Sequence, residues 1–299
     1  MKKIILCIAV ILCSFTSFAQ EQLKTKEFTF RHNGMDRTYW LYIPENLSEH
    51  APLVMVLHGY GGKAKGYRPE MINTAEKYGF AVCYPQGAKD EYGKNGKEGK
   101  NSWNVGYCFQ REYNLKTDDI DFLCKLAKHL QKTYGLKKEN TFLSGMSNGG
   151  EMCYLMAAVR PDAFTAYATI AGLTMEWSYK KYSPRKAVPI MEVHGTADKT
   201  SHWEGDPQNK GGWGAYISVP LAVGTWAAEA KCTYTETTEM PLMRNKVILH
   251  RHLGGSPAWE GGPAVEVRLY EIIGGAHSWA LKDLATCDEV WKFFSIYLR

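Results

Sequence analysis

Five residues carry the first chemical signal: Gly145-Met146-Ser147-Asn148-Gly149. They follow a short strand-like run, Thr141-Phe142-Leu143-Ser144, and precede a helix-like run, Glu151 to Val159, that stops before Pro161. A serine between glycines at a strand-to-helix turn is the context of a nucleophile elbow: side chains on the flanking residues would clash, and the strain lifts the hydroxyl above the sheet. The helix behind it aims its N-terminal dipole at an anion forming there. A serine hydroxyl is a weak nucleophile at neutral pH and requires a base. In chains with this elbow the partners follow in the order Ser, acid, His. Among nine histidines, His250, His252 and His277 lie late enough. His250 and His252 alternate within a strand-like run, whereas His277 sits in Gly274-Gly275-Ala276-His277-Ser278-Trp279, a loop after a strand ending near Ile273. His277 is the expected base. The acid should leave the preceding core strand, Val188 to Val193, whose exit turn is His194-Gly195-Thr196-Ala197-Asp198. Asp198 is the expected orienting carboxylate, with Asp206 in the same loop region as the fallback.

A tetrahedral intermediate requires two donors for its oxyanion. One is expected from the backbone N–H of Asn148. The other is expected from His58-Gly59-Tyr60-Gly61-Gly62, the glycine-rich turn after the first buried strand, with Tyr60 preferred and Gly61 the alternative. His58 precedes the serine and reads as structural, and His194 as a turn-packing residue. Trp103 and Tyr107, with Trp177, Trp203, Trp213 and Trp279, fall in segments expected around the site. Loop aromatics can stack on a sugar or an aryl ring, or simply pin loops to a core; Trp103, Trp203, Trp213 and Trp279 are the substrate-binding candidates.

The elements that must hold these residues are legible in outline. Phe28, Phe30, Tyr39, Leu41 and Ile43 alternate with polar residues around Asn33-Gly34, a hairpin pattern. Pro52 to Leu57 and Phe80 to Tyr84 are short apolar runs, as in strands buried on both faces. Helices are expected at Pro69–Tyr78, from Thr117-Asp118-Asp119 (with Thr117 as cap) to about Tyr134, at Val219–Ala230, and from Asp288 to Leu298. Further strands fit Phe164–Ile170, Val188–Val193, Lys246–Leu253 and Ala264–Ile272. Gly87 to Tyr113 reads as a long aromatic loop, a length that usually signals function. Alternating strands and helices from residue 53 onward predict an α/β fold: a mostly parallel central sheet with helices on both faces.

Lys2 and Lys3, the apolar run Ile4–Leu12 and the small-residue pair in Ser17-Phe18-Ala19 read as a signal peptide, residues 1–19, leaving 20–299 as a single domain in the exported protein, secreted or periplasmic. The apolar run is too short for a membrane span of about 20 residues. The formal charge of +5, about +3 without Lys2 and Lys3, is too mild to argue for nucleic acid or a membrane surface. Six cysteines remain after the leader; Cys83 and Cys153 read as buried thiols, while Cys108, Cys232 and Cys287 are expected nearer to loops and to pairing, with no pairing derivable. No CxxC or HExxH spacing occurs, so no metal and no cofactor are expected.

Taken together these segments resemble the secreted esterases related to poly(3-hydroxybutyrate) depolymerases, feruloyl esterases and acetylxylan esterases (carbohydrate esterase family one). The resemblance rests on Arg37-Thr38-Tyr39-Trp40-Leu41-Tyr42-Ile43-Pro44, Leu57 to Gly62, Tyr84-Pro85-Gln86-Gly87, Trp103-Asn104, Asp118-Asp119, Gly145 to Gly150, His194 to Asp198 and Gly275 to Trp279, in this order from about residue 30 to the end. It implies the α/β-hydrolase fold and places Ser147, Asp198 and His277 on the family's triad. It also implies a polysaccharide or small ester as substrate, with removal of feruloyl or acetyl groups from plant cell-wall xylan as the expected activity; the long Ser201–Tyr216 insertion has features of forms acting on plant cell wall. A polyester depolymerase is the alternative within the family, and one of these often adds a linker and a polymer-binding module that this sequence does not display. One departure is Lys231-Cys232, where relatives often carry Gly-Cys. The rivals outside it are a serine peptidase on the same fold, which usually carries a preceding domain larger than the roughly thirty residues before the first core strand, and a non-catalytic binding protein, against which an intact Ser, Asp and His argue.

Overall fold

A computed structural model of the chain describes residues 25–110, 117–182 and 186–299; the expected leader, with Cys7 and Cys13, and the end of the Gly87–Tyr113 loop lie outside these. Strands β1 (Lys26–His32) and β2 (Met35–Tyr42) form the expected hairpin, turned by Asn33 and Gly34, both at positive φ. The chain then alternates: β3 (Leu53–Leu57), α1 (Pro69–Tyr78), β4 (Ala81–Pro85), the short pair β5 (Ala88–Lys89) and β6 (Asn101–Ser102), α2 (Asp119–Tyr134), β7 (Thr141–Met146), α3 (Asn148–Val159), β8 (Tyr167–Ile170), α4 (Glu176–Lys181), β9 (Ile190–Gly195) and α5 (Val219–Glu229). It ends with β10 (Tyr234–Glu239), β11 (Val247–Leu253), β12 (Val267–Ile272) and α6 (Thr286–Ser295).

Ten strands share one sheet in the order β1-β2-β4-β3-β7-β8-β9-β12-β11-β10. The six from β4 to β12 are parallel, and an antiparallel pair flanks each end. Burial follows: every residue of β3, β4, β8 and β9 is buried, whereas every residue of the edge strand β10 is exposed. That edge, Tyr-Thr-Glu-Thr-Thr-Glu, presents no apolar face for sequence reading to find. One core, with Phe122, Leu126, Met152 and Val223 from α2, α3 and α5, covers one face; the other, with Met71, Phe293 and Phe294 from α1 and α6, covers the opposite face.

Several local expectations are corrected. Asp118, not Thr117, caps α2, its side chain accepting the Asp121 N–H. Helix α3 starts at Asn148, directly after the serine, because Ser147 occupies its N-cap. Cys108, Cys232 and Cys287 are free thiols, as are Cys83, Cys124 and Cys153. Cys287 is buried on α6, and the Cys108 and Cys232 sulfurs lie against the carbonyls of Gly212 and His252, so no two of the three are placed to pair.

Candidate active site

Strand β7 ends one residue before Ser147, whose φ of 55° and ψ of −123° are strained for a residue with a side chain. The glycines around it explain how the strain is tolerated. A Cβ on Gly145 would lie 2.5 Å from the Gly149 carbonyl carbon, and one on Gly149 would lie 2.5 Å from the Leu57 carbonyl oxygen. Only bare backbone lets β3, β7 and α3 meet this closely. The Ser147 N–H donates to Ile170 O at 2.8 Å, tying the elbow to β8.

Asp198 and His277 come together from the exits of β9 and β12, neighbours in the sheet. His277 Nδ1 lies 2.6 Å from Asp198 Oδ2, while Asp198 Oδ1 accepts the N–H groups of Thr200 at 2.7 Å and Ser201 at 2.8 Å. Burial opposes ionisation of Asp198, but His277 and these two N–H donors outweigh it and hold the carboxyl below its ordinary value. With Nδ1 engaged by a carboxylate, Nε2 of His277 is the nitrogen left to handle a proton. Ser147 and His277 line one cleft of about 260 Å³, with Tyr60, Tyr107, Glu151, Leu173, Thr200, Ser201 and Trp213. The fallback acid is engaged elsewhere: Asp206 accepts the N–H groups of Lys210 and Gly211 and fastens its own loop.

Beside Asp198 lies a buried brace in which His194 takes the turn-packing place expected of it, while its partner Glu192 is a residue that sequence reading missed. His194 Nδ1 meets Glu192 Oε1 at 2.8 Å, and its Nε2 donates to Ser201 O at 2.8 Å. Glu192 also accepts the Thr169 hydroxyl and the Gly172 N–H. Burial raises the Glu192 carboxyl, and contact with that carboxylate raises His194 despite burial. The turn carrying the acid is therefore pinned to β8 and β9.

The glycine-rich turn after β3 lies against the elbow; a Cβ on Gly59 would sit 3.3 Å from Ser147 Cβ. The Gly61 N–H is engaged by Asn101 O at 2.7 Å and the Gly62 N–H by Gly59 O at 2.9 Å, so neither points to the cleft and Tyr60 remains the candidate donor in the turn. His58 fixes this turn: Nδ1 bonds Gly59 O at 2.7 Å, and Nε2 accepts the Gly87 N–H at 3.0 Å. Burial lowers its pKa to about 4, which keeps the ring neutral in this role. The Asn148 side chain clamps Trp103, accepting its N–H at 2.7 Å and donating to its carbonyl at 3.0 Å.

That clamp corrects part of the aromatic expectation. Trp103 is fully buried, its indole N–H donating to His58 O at 2.9 Å, so it supports the glycine-rich turn instead of facing a ligand. Trp279 is 4% exposed and donates to the Tyr67 hydroxyl in the opposite core. Trp203 packs edge-on against His194 and is not among the cleft residues. Trp213 does line the cleft, edge-to-face with Tyr60 at 5.3 Å and beneath Lys94 Nζ at 4.3 Å. Trp177 donates to Val105 O and pins a loop. Among the described residues no group of His, Cys, Asp and Glu is arranged to hold a metal ion, and no helix is long and apolar enough to cross a membrane.

The chain is similar to several known esterases. A bifunctional acetylxylan esterase/xylanase of Neocallimastix patriciarum is 26% identical over 177 residues, covering 58% of this chain and 23% of that protein. Feruloyl esterase B of Talaromyces funiculosus is 24% identical over 196 residues, 64% of this chain and 50% of that one. The chain thus spans about a quarter to a half of the length of such relatives. An acetyl xylan esterase from Aspergillus awamori superimposes with a TM-score of 0.62 at 16% identity, over 91% of this chain and 99% of that one, and an S-formylglutathione hydrolase from Agrobacterium tumefaciens with 0.56 at 13%, over 92% and 97%. These likenesses carry the α/β-hydrolase fold. The profile described as esterase PHB depolymerase matches residues 37–201, more than half of the chain and the stretch from β2 through the elbow to the loop after Asp198, and the chain belongs to that family.

Proposed function

We propose that the protein is an exported serine carboxylic-ester hydrolase that removes feruloyl or acetyl groups from plant cell-wall xylan. The observation that carries the reading is the 2.6 Å contact of His277 with Asp198 at the cleft that also holds the strained Ser147. Ser147 Oγ attacks the ester carbonyl while His277 Nε2 takes its proton. The N–H groups of Tyr60 and Asn148 receive the oxyanion, each worth about 10²–10³ in rate in comparable sites. His277 then protonates the departing sugar hydroxyl, and the acyl group remains on Ser147. A water, deprotonated by His277, cleaves the acyl-enzyme and releases the acid. Asp198 holds the imidazole in the required tautomer and stabilises its cation.

The relatives named as acetylxylan and feruloyl esterases support the xylan reading. The family's description supports a polyester substrate as the second reading. The leader-like residues 1–19 support export, with 20–299 read as one hydrolase domain. The test is chromatography of the acid released from arabinoxylan and from acetylated xylan, with Ser147→Ala as control. Ferulate or acetate lost in the variant supports the reading. Neither acid from the wild-type enzyme, with short aryl acetates still cleaved, refutes it and leaves hydroxyalkanoate polyesters.

A further inference from the structure

The helix that begins at the elbow carries a carboxyl group that ester cleavage does not use. Glu151 is 3% exposed, lines the cleft together with Ser147, and has an Oε2 without a hydrogen-bond partner. It stands four residues after Ser147, just over one helical turn or about 6 Å along the axis. Helical side chains lean toward the N-terminus, so this carboxyl leans toward the turn that holds the nucleophile. Burial pushes its pKa up to about 8; the Tyr107 hydroxyl opposes the rise and Glu192 adds to it. At neutral pH the group is mostly the protonated acid, able both to donate and to accept.

A buried polar atom without a partner is costly, and a native fold retains one where something completes it. The cleft tells which part of a substrate that is. Among its lining residues Glu151, Tyr107 and Leu173 are buried, whereas Thr200 is exposed and His277 partly so, which points to Thr200 and His277 as its open side. A sugar chain leaves through the open side, so the acyl group is the part that enters against Glu151.

We propose that Glu151 is a specificity-determining residue that receives a hydroxyl carried by the acyl group, so that hydroxyacyl esters are cleaved in preference to their plain hydrocarbon counterparts. The inference rests on the esterase reading above and names the acyl chemistry of that same site. Two acyl groups carry such a hydroxyl at different reach: a hydroxycinnamoyl group at its far phenolic end, and a 3-hydroxyalkanoyl group close to the reacting carbonyl.

The experiment compares kcat/KM for methyl 4-hydroxycinnamate against methyl cinnamate, and for methyl 3-hydroxybutyrate against methyl butyrate, with 4-nitrophenyl acetate as a general ester. The wild-type protein should favour the hydroxylated member of one pair by about tenfold or more, and the pair that responds identifies the reach. Glu151→Gln, which keeps a neutral donor and acceptor, should retain the preference. Glu151→Met, which keeps the bulk alone, should lose it. A wild-type protein that cleaves both members of both pairs equally overturns the proposal whether or not any variant folds, and so does a preference that persists in Glu151→Met. Turnover of the aryl acetate with none of the four methyl esters cleaved overturns the role of Glu151 and leaves the esterase reading standing. No turnover of any ester overturns both.

Discussion

The burial of Glu151 should be visible as a pH dependence of stability. Its carboxyl, ordinarily near 4.5, is pushed up to about 8 by burial and by Glu192, against the Tyr107 hydroxyl. Tyr107 and Tyr216 face it from two loops and Glu192 from β9. A folded pKa above the unfolded one means that the native state holds its proton more tightly. The associated stability is therefore complete below the unfolded value and is lost progressively as pH rises, until the native group itself ionises near 8. At 1.36 kcal/mol per unit of displacement, the wild-type protein should lose about 3 kcal/mol through this group between about pH 5.5 and pH 8. Glu151→Gln does not titrate and should lose none of it. Urea unfolding of both proteins at several pH values measures the effect, because the other titrating groups are common to both and largely cancel in the difference. The difference between the two stabilities should change by about 3 kcal/mol across that window, in the direction that favours Gln at high pH. Parallel curves, differing by a constant within about 0.5 kcal/mol, would refute the claim that Glu151 is buried as an acid.

Asp198→Asn should lower kcat by about 10⁴, since the amide favours the wrong imidazole tautomer while leaving the shape intact; a loss under tenfold on aryl acetates would remove Asp198 from its role. Gly149→Ala places a Cβ 2.5 Å from Leu57 O and 2.8 Å from His58 O, backbone atoms at the end of β3 and the start of the proposed oxyanion turn. It should reduce activity by more than about 10² and lower the melting temperature, and near-normal activity would contradict the close approach of β3 and α3. The free thiols predict that alkylation in denaturant without reductant modifies Cys83, Cys108, Cys124, Cys153, Cys232 and Cys287 alike, read by peptide mass spectrometry; any unmodified pair marks a disulfide.

The sequence makes the positions of Ser147, Asp198 and His277 legible because they depend on chain order and strand ends alone. Met146, Ile170, Val193 and Tyr270 form one row across β7, β8, β9 and β12. Any residue a short way beyond that row emerges at the same end of a parallel sheet, so a turn motif after each strand suffices to gather them. The hairpin β1–β2 is legible for a similar local reason, Asn-Gly between alternating runs. Edge strand β10 is not, since a fully exposed strand has no apolar period, and neither is the Asp118 cap, where Thr117 and Asp118 are equivalent by type.

The aromatic residues mark where local reading stops. Trp103 and Trp213 both lie in loops beside the site, and nothing in their types separates them. Trp103 turns inward because its backbone is clamped by Asn148 and its indole N–H finds His58 O, a partner 45 positions away in sequence. Trp213 faces the cleft because Tyr60, Tyr107 and Phe109 build a wall for it. Glu151 escapes sequence reading for the opposite reason: an acid in the first turn of a helix already has an explanation in the helix dipole. Only tertiary burial shows that this carboxyl lacks the water such an explanation assumes. A carboxyl kept there, one turn from Ser147 and with an oxygen unpartnered, is where the proposed acyl selectivity resides, since the proposed triad of Ser147, Asp198 and His277 would serve any ester.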